Sequence, residues 1–386
     1  MKIANPVAFP MQKIPAVAAA LILLGLIIAV STLGGTKQIY GVLIGAFAGF
    51  ALYHASFGFT AGWRRVVAEG RGGGLRAQFI LILLVSAISF PLIAYGRDFG
   101  LPTNGFVFPV GVGMLFGAFI FGFGMQFGGG CGSGTLFVAG GGSTRMCITL
   151  AAFVLGSFLG TYHVAWWSSL PKTGAFSLIK NFGPVMGFLI MAVLLGGIAY
   201  FTIWRERKLH RELETPRATG SLISGPWSPM VGAVALALVC VATLLLIGRP
   251  WGVTWGFALW GAKIANFAGV DVQAMEYWSG WRERALENSI FRDTTSVMNF
   301  GIMAGALGAA ALASKFRPLA SLTQIEISTA IFGGLLMGYG ARLAYGCNIG
   351  AYLGGLVSGS LHGWAWMVAA FIGSALAIFA KRKLGI

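Results

Sequence analysis

The chain has 386 residues, of which 57% are hydrophobic and only 10% charged, with 59 glycines. A soluble domain of this length needs far more charged surface, so composition excludes that class and reads as a polytopic, all-α membrane protein embedded in a lipid bilayer. The net charge of +16 does not indicate nucleic acid, because the cations cluster at the ends of apolar runs.

Runs of about 20 apolar residues suit a hydrocarbon core about 30 Å thick. Ten spans are predicted in chain order, at 15–33, 38–57, 76–96, 106–126, 144–166, 183–204, 228–248, 294–313, 323–343 and 363–380. Segments 132–141, 250–262 and 348–358 read as half-helices that do not cross. The first run lacks a convincing small-residue cleavage site, so no cleavable signal is expected. Abundant glycine fits close helix approach in a bilayer.

An alternating path with an internal N-terminus puts most of the 27 Lys and Arg on one side. They include Lys2, Lys13, Arg64, Arg65, Arg71, Arg76, Arg205, Arg207, Lys208, Arg211, Lys315, Arg317, Lys381, Arg382 and Lys383. The other side holds Lys263, Arg282, Arg284 and Arg292, nearly balanced by Asp271, Glu276, Glu283, Glu287 and Asp293. This positive-inside pattern places both termini in the cytoplasm.

A glycine-rich cysteine turn occurs twice. Leu115 to Gly134 read LFGAFIFGFGMQFGGGCGSG, and Ile331 to Gly350 read IFGGLLMGYGARLAYGCNIG. The copies share Phe116/Phe332, Gly117/Gly333, Gly122/Gly338, Gly124/Gly340, Gly130/Gly346, Cys131/Cys347 and Gly134/Gly350. Upstream, Phe57 to Gly62 matches Trp251 to Gly256; between Ala262 and Arg292 the second half carries a charged, Trp-rich insert, expected to be external. Downstream, Ala151-Ala152-Phe153 matches Ala369-Ala370-Phe371. Counting spans, each matched pair runs in opposite directions. The expected organisation is an N-terminal span (1–37), a first inverted repeat (38–166), a linker span with a cytoplasmic basic loop (167–227) and a second inverted repeat (228–386). Paired broken helices in two such halves are the best sequence pointer to a transporter's binding site.

Irregular backbone is tolerated at membrane depth only where it finds protein partners or lines a cavity. A half-helix starting after Gly130-Cys131-Gly132-Ser133 or Gly346-Cys347-Asn348 aims unpaired N–H groups and a positive dipole end at the midplane, which suits an anion. Gly132, Gly134 and Gly350 let a ligand approach the backbone, while Ser133 and Asn348 add neutral hydrogen-bonding groups. Apolar burial keeps a thiol neutral and a helix N-terminus favours the thiolate, and both act on Cys131 and Cys347. Cys147 and Cys240, inside apolar spans, are expected to be packing residues. Thr60 and Thr254 open the matched upstream turns, where a threonine serves equally as a ligand or as a local cap. Arg342 lies five residues before Cys347, either functional or snorkelling to the interface. His54, His163 and His362 have no metal-ligand spacing, and there is no CxxC; neither a metal nor a cofactor is expected.

The paired GFGxxxxxGCxxG-like turns and the ending GCNIGAYLGGLVSGSLHGWAWMVAAFIGSALA resemble the YeeE/YedE family of sulfur-compound transporters, over nearly all of the chain beyond the first span. PWGVTWGFALWGAKI is similar to the start of that family's second half. The resemblance implies a bacterial inner-membrane importer of thiosulfate or a related small sulfur-containing anion. It also implies a relay of three cysteines working by S–H contacts, without metal or ATP. Cys131 and Cys347 match two of them. The remaining one falls around Phe57 to Gly62, where this chain has Gly58 or Thr60 instead. Related members are linked with selenium metabolism, so a selenium or other oxyanion is an alternative substrate. A cytoplasmic sulfur-carrier protein is an implied partner, with Arg64, Arg65, Arg71 and the basic linker as its docking face. A membrane thiol oxidoreductase is the enzyme reading. The missing CxxC, and a topology that points the two cysteines toward opposite faces, weigh against it.

Overall fold

The computed structural model describes residues 11–318 and 321–386; Lys2, one of the predicted internal cations, lies outside them. The helices in chain order are α1 (Lys13–Leu33), α2 (Thr36–Ala55), α3 (Phe59–Ala68), α4 (Gly73–Tyr95), α5 (Val112–Gly128), α6 (Gly132–Gly140), α7 (Thr144–Ser169) and α8 (Leu178–His210). The second half continues with α9 (Pro229–Ile247), α10 (Thr254–Phe267), α11 (Trp281–Glu287), α12 (Thr294–Leu312) and α13 (Gln324–Leu343). A π-helix (Asn348–Leu353) runs into the single turn α14 (Gly354–Leu356), and α15 (Leu361–Leu384) ends the chain. Among the described residues ten segments are long and apolar enough to cross a membrane, and the fold is an all-α polytopic membrane protein.

Three local differences from the sequence reading have simple causes. The span expected from residue 106 begins at Val112, because Pro109–Gly111 (β1) instead pairs antiparallel with Lys172–Ala175 (β2). The half-helix expected from residue 250 begins at Thr254, because Val253 before it holds φ −125° and ψ −49°, outside the helical region. A fourth half-helix, α3, occupies residues read as a turn and a basic loop. Arg64 and Arg65 mark its sequence as a loop, but Phe59, Trp63 and Val66 are buried along one side. The Trp63 indole donates to Gln78 Oε1 at 3.1 Å, so its polar atom is satisfied.

Helix crossings in the core depend on absent side chains. At Gly122 an added Cβ would collide with the backbone of Ala370, and at Gly373 with that of Phe119, so α5 and α15 touch backbone to backbone. The same holds where α7 meets α13: Gly156 lies on Leu335 and Gly338 on Phe153. Lipid tails compete with apolar side chains on equal terms, so close packing of this kind is a main source of helix association in a bilayer. α5 also packs on α13, α2 on α12, and α9 on α4.

The insert forms a folded cap. Val272, Trp278 and Leu286 are buried against Phe158 of α7 and Ala258, Leu259 and Ala262 of α10. The Trp278 indole donates to Thr161 Oγ1 at 3.3 Å, and Lys263 Nζ to the carbonyls of Leu286 and Asn288. At the other end of the molecule the linker is fastened by Glu206, which is fully buried. Its carboxylate accepts from the backbone of Gly72 and Glu214 and pairs with Arg71 and Arg76.

Candidate functional site

Four short helices begin at one place. α3 starts behind Gly58, α6 behind Cys131, α10 behind Val253 and the π-helix behind Cys347, and none of these four preceding residues caps its helix with a side-chain hydrogen bond. No side-chain oxygen or nitrogen caps these starts, so their first-turn N–H groups face the junction, and each start contributes a positive dipole end.

The contacts between these starts are close. The Cys131 sulfur faces the backbone N–H groups of Gly134 in its own helix and of Phe59 at the start of α3. It also lies 3.6 Å from Ser133 Oγ. Cys347 presents its sulfur to the N–H groups of Ile349 and Gly350. Gly132 joins the two turns: a Cβ there would fall 2.8 Å from Cys347 Sγ and 3.7 Å from Thr254 Cγ2. At Gly350 a Cβ would meet Gly252 at 3.9 Å. Gly130 and Gly346 occupy equivalent places, each pressed on the first turn of the half-helix that follows, with Cβ positions 3.2 Å from Thr135 N and 2.9 Å from Ala351 N. At Gly346 φ is +154°, which other residues rarely adopt.

Eleven of the twelve residues singled out from the sequence thus lie in or beside this junction: Thr60, Gly130, Cys131, Gly132, Ser133, Gly134, Thr254, Gly346, Cys347, Asn348 and Gly350. The two cysteine turns adjoin, contrary to the expectation that the thiols point toward opposite faces. That expectation followed each helix's direction, whereas a re-entrant half-helix stops at the middle and returns. Both cysteines are buried and carry free thiols. Asn348 is fully buried with neither amide atom hydrogen-bonded, and buried Thr60 Oγ1 is also without a partner. Buried polar atoms normally have partners, so unpaired ones here are groups available to a ligand.

Two cavities flank the junction, one lined by junction residues and the other meeting it only through their sequence neighbours Trp255 and Tyr345. One, of about 360 Å³, opens on the linker side and reaches Cys131, Gly130, Gly134 and Thr60, with Arg217 and Lys315 also in its lining. The other, of about 620 Å³, opens beneath the insert and contains Arg249, Arg282, Arg342, Trp255, Tyr277 and Trp281. The twelfth residue, Arg342, belongs to this vestibule and not to the junction; its guanidinium lies over the Tyr277 ring at 5.7 Å. In the vestibule lining Phe108 stacks on Tyr345, with centroids 4.7 Å apart, and Cys347, two residues further along the chain, is fully buried. The sequence reading missed α3, Arg217 and Arg249. Only Arg249 carried a signal, standing directly before the matched PWGVTWG stretch.

The other readings resolve locally. Cys240 is buried as expected, but Cys147 is exposed on the surface of α7 and packs no core. Among the described residues no group of His, Cys, Asp and Glu could hold a metal ion. Arg145 donates to the Phe127 carbonyl at 2.7 Å, tying the end of α5 to the start of α7.

Comparison with known proteins gives the family. The sulphur transport family profile matches residues 54–376, and the chain belongs to that family. The thiosulfate transporter TsuA of Escherichia coli K12 is 27% identical over 349 residues, covering 86% of this chain and 91% of that protein. TsuA of Spirochaeta thermophila is 29% identical over 274 residues, 66% of this chain and 72% of its own length. The probable transporter YedE of Escherichia coli K12 is 32% identical over 148 residues, and the chain spans only 36% of that relative's length. The family and these relatives are transporters, not enzymes.

Proposed function

We propose that this protein carries a small sulfur-containing anion, thiosulfate or a close relative, across the bacterial inner membrane past Cys131 and Cys347. The observation that carries this reading is the meeting of four uncapped helix starts around two thiols, flanked by a cavity on each side. Helix starts hold an anion by backbone N–H groups without a fixed positive charge, so binding need not be tight enough to trap the ion. The polarisable sulfur and weak S–H donor of each cysteine suit a terminal sulfur atom. Similarity to the two TsuA proteins supports thiosulfate as the first substrate to try.

The inverted repeat is part of the proposal. It is supported by packing that repeats under exchange of the halves: α5 on α15 answers α13 on α7, α2 on α12 answers α9 on α4, and α3 on α15 answers α10 on α7. In this reading residues 38–166 and 228–386 are the two units, 167–227 joins them, and the linker and both termini are cytoplasmic. A sulfur-carrier partner would dock on a smaller face than the sequence suggested. Arg65 is paired with Glu69 and Glu214, and Arg71 with Glu206, leaving Arg64 and the Arg207 to Arg211 stretch as the outward cations.

Two observations keep other chemistries in view. Thr60, a hard hydroxyl donor, stands in the cavity wall with Cys131, which favours a substrate rich in oxygen, such as a selenium oxyanion. The adjoining cysteine turns remove one objection to a dithiol enzyme, although the family relationship weighs against it.

The test is uptake of radiolabelled thiosulfate by cells lacking their own sulfur importers. Cys131→Ala and Cys347→Ala should each reduce uptake at least about tenfold, the scale of about 1.4 kcal/mol in a transition barrier. Membrane levels should be unchanged. Wild-type uptake by the double variant would defeat the cysteine path, and absence of uptake by the wild type would defeat thiosulfate.

A further inference from the structure

The cavity that reaches Cys131 has a chemistry of its own on the linker side. Its rim brings together Arg217 from the linker and Lys315 from the loop after α12, and its lining includes no Asp or Glu. Among the described residues neither cation forms an ion pair with a carboxylate. Arg217 is held in place from behind: Nε donates to the Trp227 carbonyl at 3.1 Å, and one terminal nitrogen to the carbonyls of His54 and Ala55 at 3.2 and 3.0 Å. Carbonyl groups fix the guanidinium without neutralising it, so its full charge remains at the rim. Deeper in the same wall stands Thr60, 6% exposed, whose hydroxyl has no partner. Cys131 follows at the inner end.

By burial the donors run from two exposed cations through the buried Thr60 hydroxyl to the buried Cys131 thiol, with Tyr53, His54, Ser56 and Ser224 also in the lining. A tetrahedral sulfur dianion with oxygen atoms at one end and a terminal sulfur at the other has the matching polarity. Its oxygens accept charge-assisted bonds from Arg and Lys and a neutral bond from Thr60, while its sulfur rests against Cys131.

Building on the transport reading, we infer that this cavity is a second anion station on the linker side of the Cys131–Cys347 junction. It binds the oxygen end of the ion through Arg217, Lys315 and Thr60. The station takes the ion on the linker side as it leaves Cys347, with Cys131 still at its sulfur end, and an unpaired positive rim raises its local concentration there. It is also asymmetric, because the vestibule at the other end is built from different residues.

The experiment measures thiosulfate transport in membrane vesicles of both orientations, with Lys315→Gln, Lys315→Glu and Lys315→Arg at equal protein levels. Lys315 is exposed, so these changes leave the core intact. With the linker face outward, KM should rise about threefold for Lys315→Gln, the scale of an exposed charge pair, and further, to about tenfold, for Lys315→Glu, where attraction becomes repulsion. Lys315→Arg should match the wild type, and the opposite orientation should show no change in KM for any of the three. Unchanged KM with the linker face outward, or equal shifts in both orientations, would overturn the station while leaving transport itself intact. Should wild-type vesicles move thiosulfate in neither orientation, the transport reading fails separately. The station is then decided by equilibrium binding of radiolabelled thiosulfate to the purified protein. Weaker binding by Lys315→Glu than by wild type supports it, and equal binding overturns it.

Discussion

Replacing Gly132 with alanine tests whether contact between the two halves matters for function. The new carbon would lie 2.8 Å from Cys347 Sγ and 3.2 Å from Cys347 Cβ. Comfortable non-bonded contacts lie at about 3.5–4.0 Å, so the shortfall at sulfur approaches an ångström. Overpacking of a buried site costs about 1–3 kcal/mol. The cheapest relief is rotation of Cys347 about χ1, which moves the sulfur and leaves the Cβ contact to a backbone shift of a few tenths of an ångström. The cost then falls on transport and not on folding. At about 1.4 kcal/mol per factor of ten, uptake should fall about fivefold to about a hundredfold. Gly134→Ala is the control, because its carbon would meet Cys131 Sγ at 3.4 Å, close to ordinary contact. Its loss should stay below about fivefold, since overpacking costs scale with the overlap. The assay is the initial rate of radiolabelled thiosulfate uptake at matched membrane levels. Wild-type uptake by Gly132→Ala, or a larger loss in Gly134→Ala, would refute the idea that the two turns form one passage.

Two further outcomes are expected. Thr60→Cys should raise thiosulfate uptake relative to wild type, because it places a third sulfur where an unpaired hydroxyl now faces the cavity. Gly58→Cys, at an extended position before the helix, should not, and the reverse result would reassign the position. Reporter fusions at Gly220 and Gly280 should report opposite compartments, since α12, about 28 Å long at about 1.5 Å per residue, separates the linker end from the insert end. One compartment for both would reject the span directions on which the inverted repeat rests.

Much of the architecture was legible in the chain itself. Span positions follow from run length and hydropathy, because a bilayer imposes one thickness on every crossing element. The cysteine turns were legible because they recur, and a repeated irregularity within apolar helices has few explanations besides a shared cavity. The sequence did not reveal α3: ten residues carrying two arginines resemble a cytoplasmic loop, and only burial of Phe59 and Trp63 against the second half shows otherwise. Cys147 was misread for a related reason, since membrane helices are apolar on lipid-facing and core-facing sides alike.

The sequence by itself determined the number of spans, the two equivalent turns and the residue types within them. Tertiary structure alone decided that Cys131 and Cys347 adjoin, that Arg342 stands apart in a vestibule, and that Arg217 and Lys315 share a rim with Thr60. The physical reason is that helix directions fix only which end of each element faces which side. How far a re-entrant helix penetrates, and what it meets there, is settled by glycine-mediated contact between segments hundreds of residues apart.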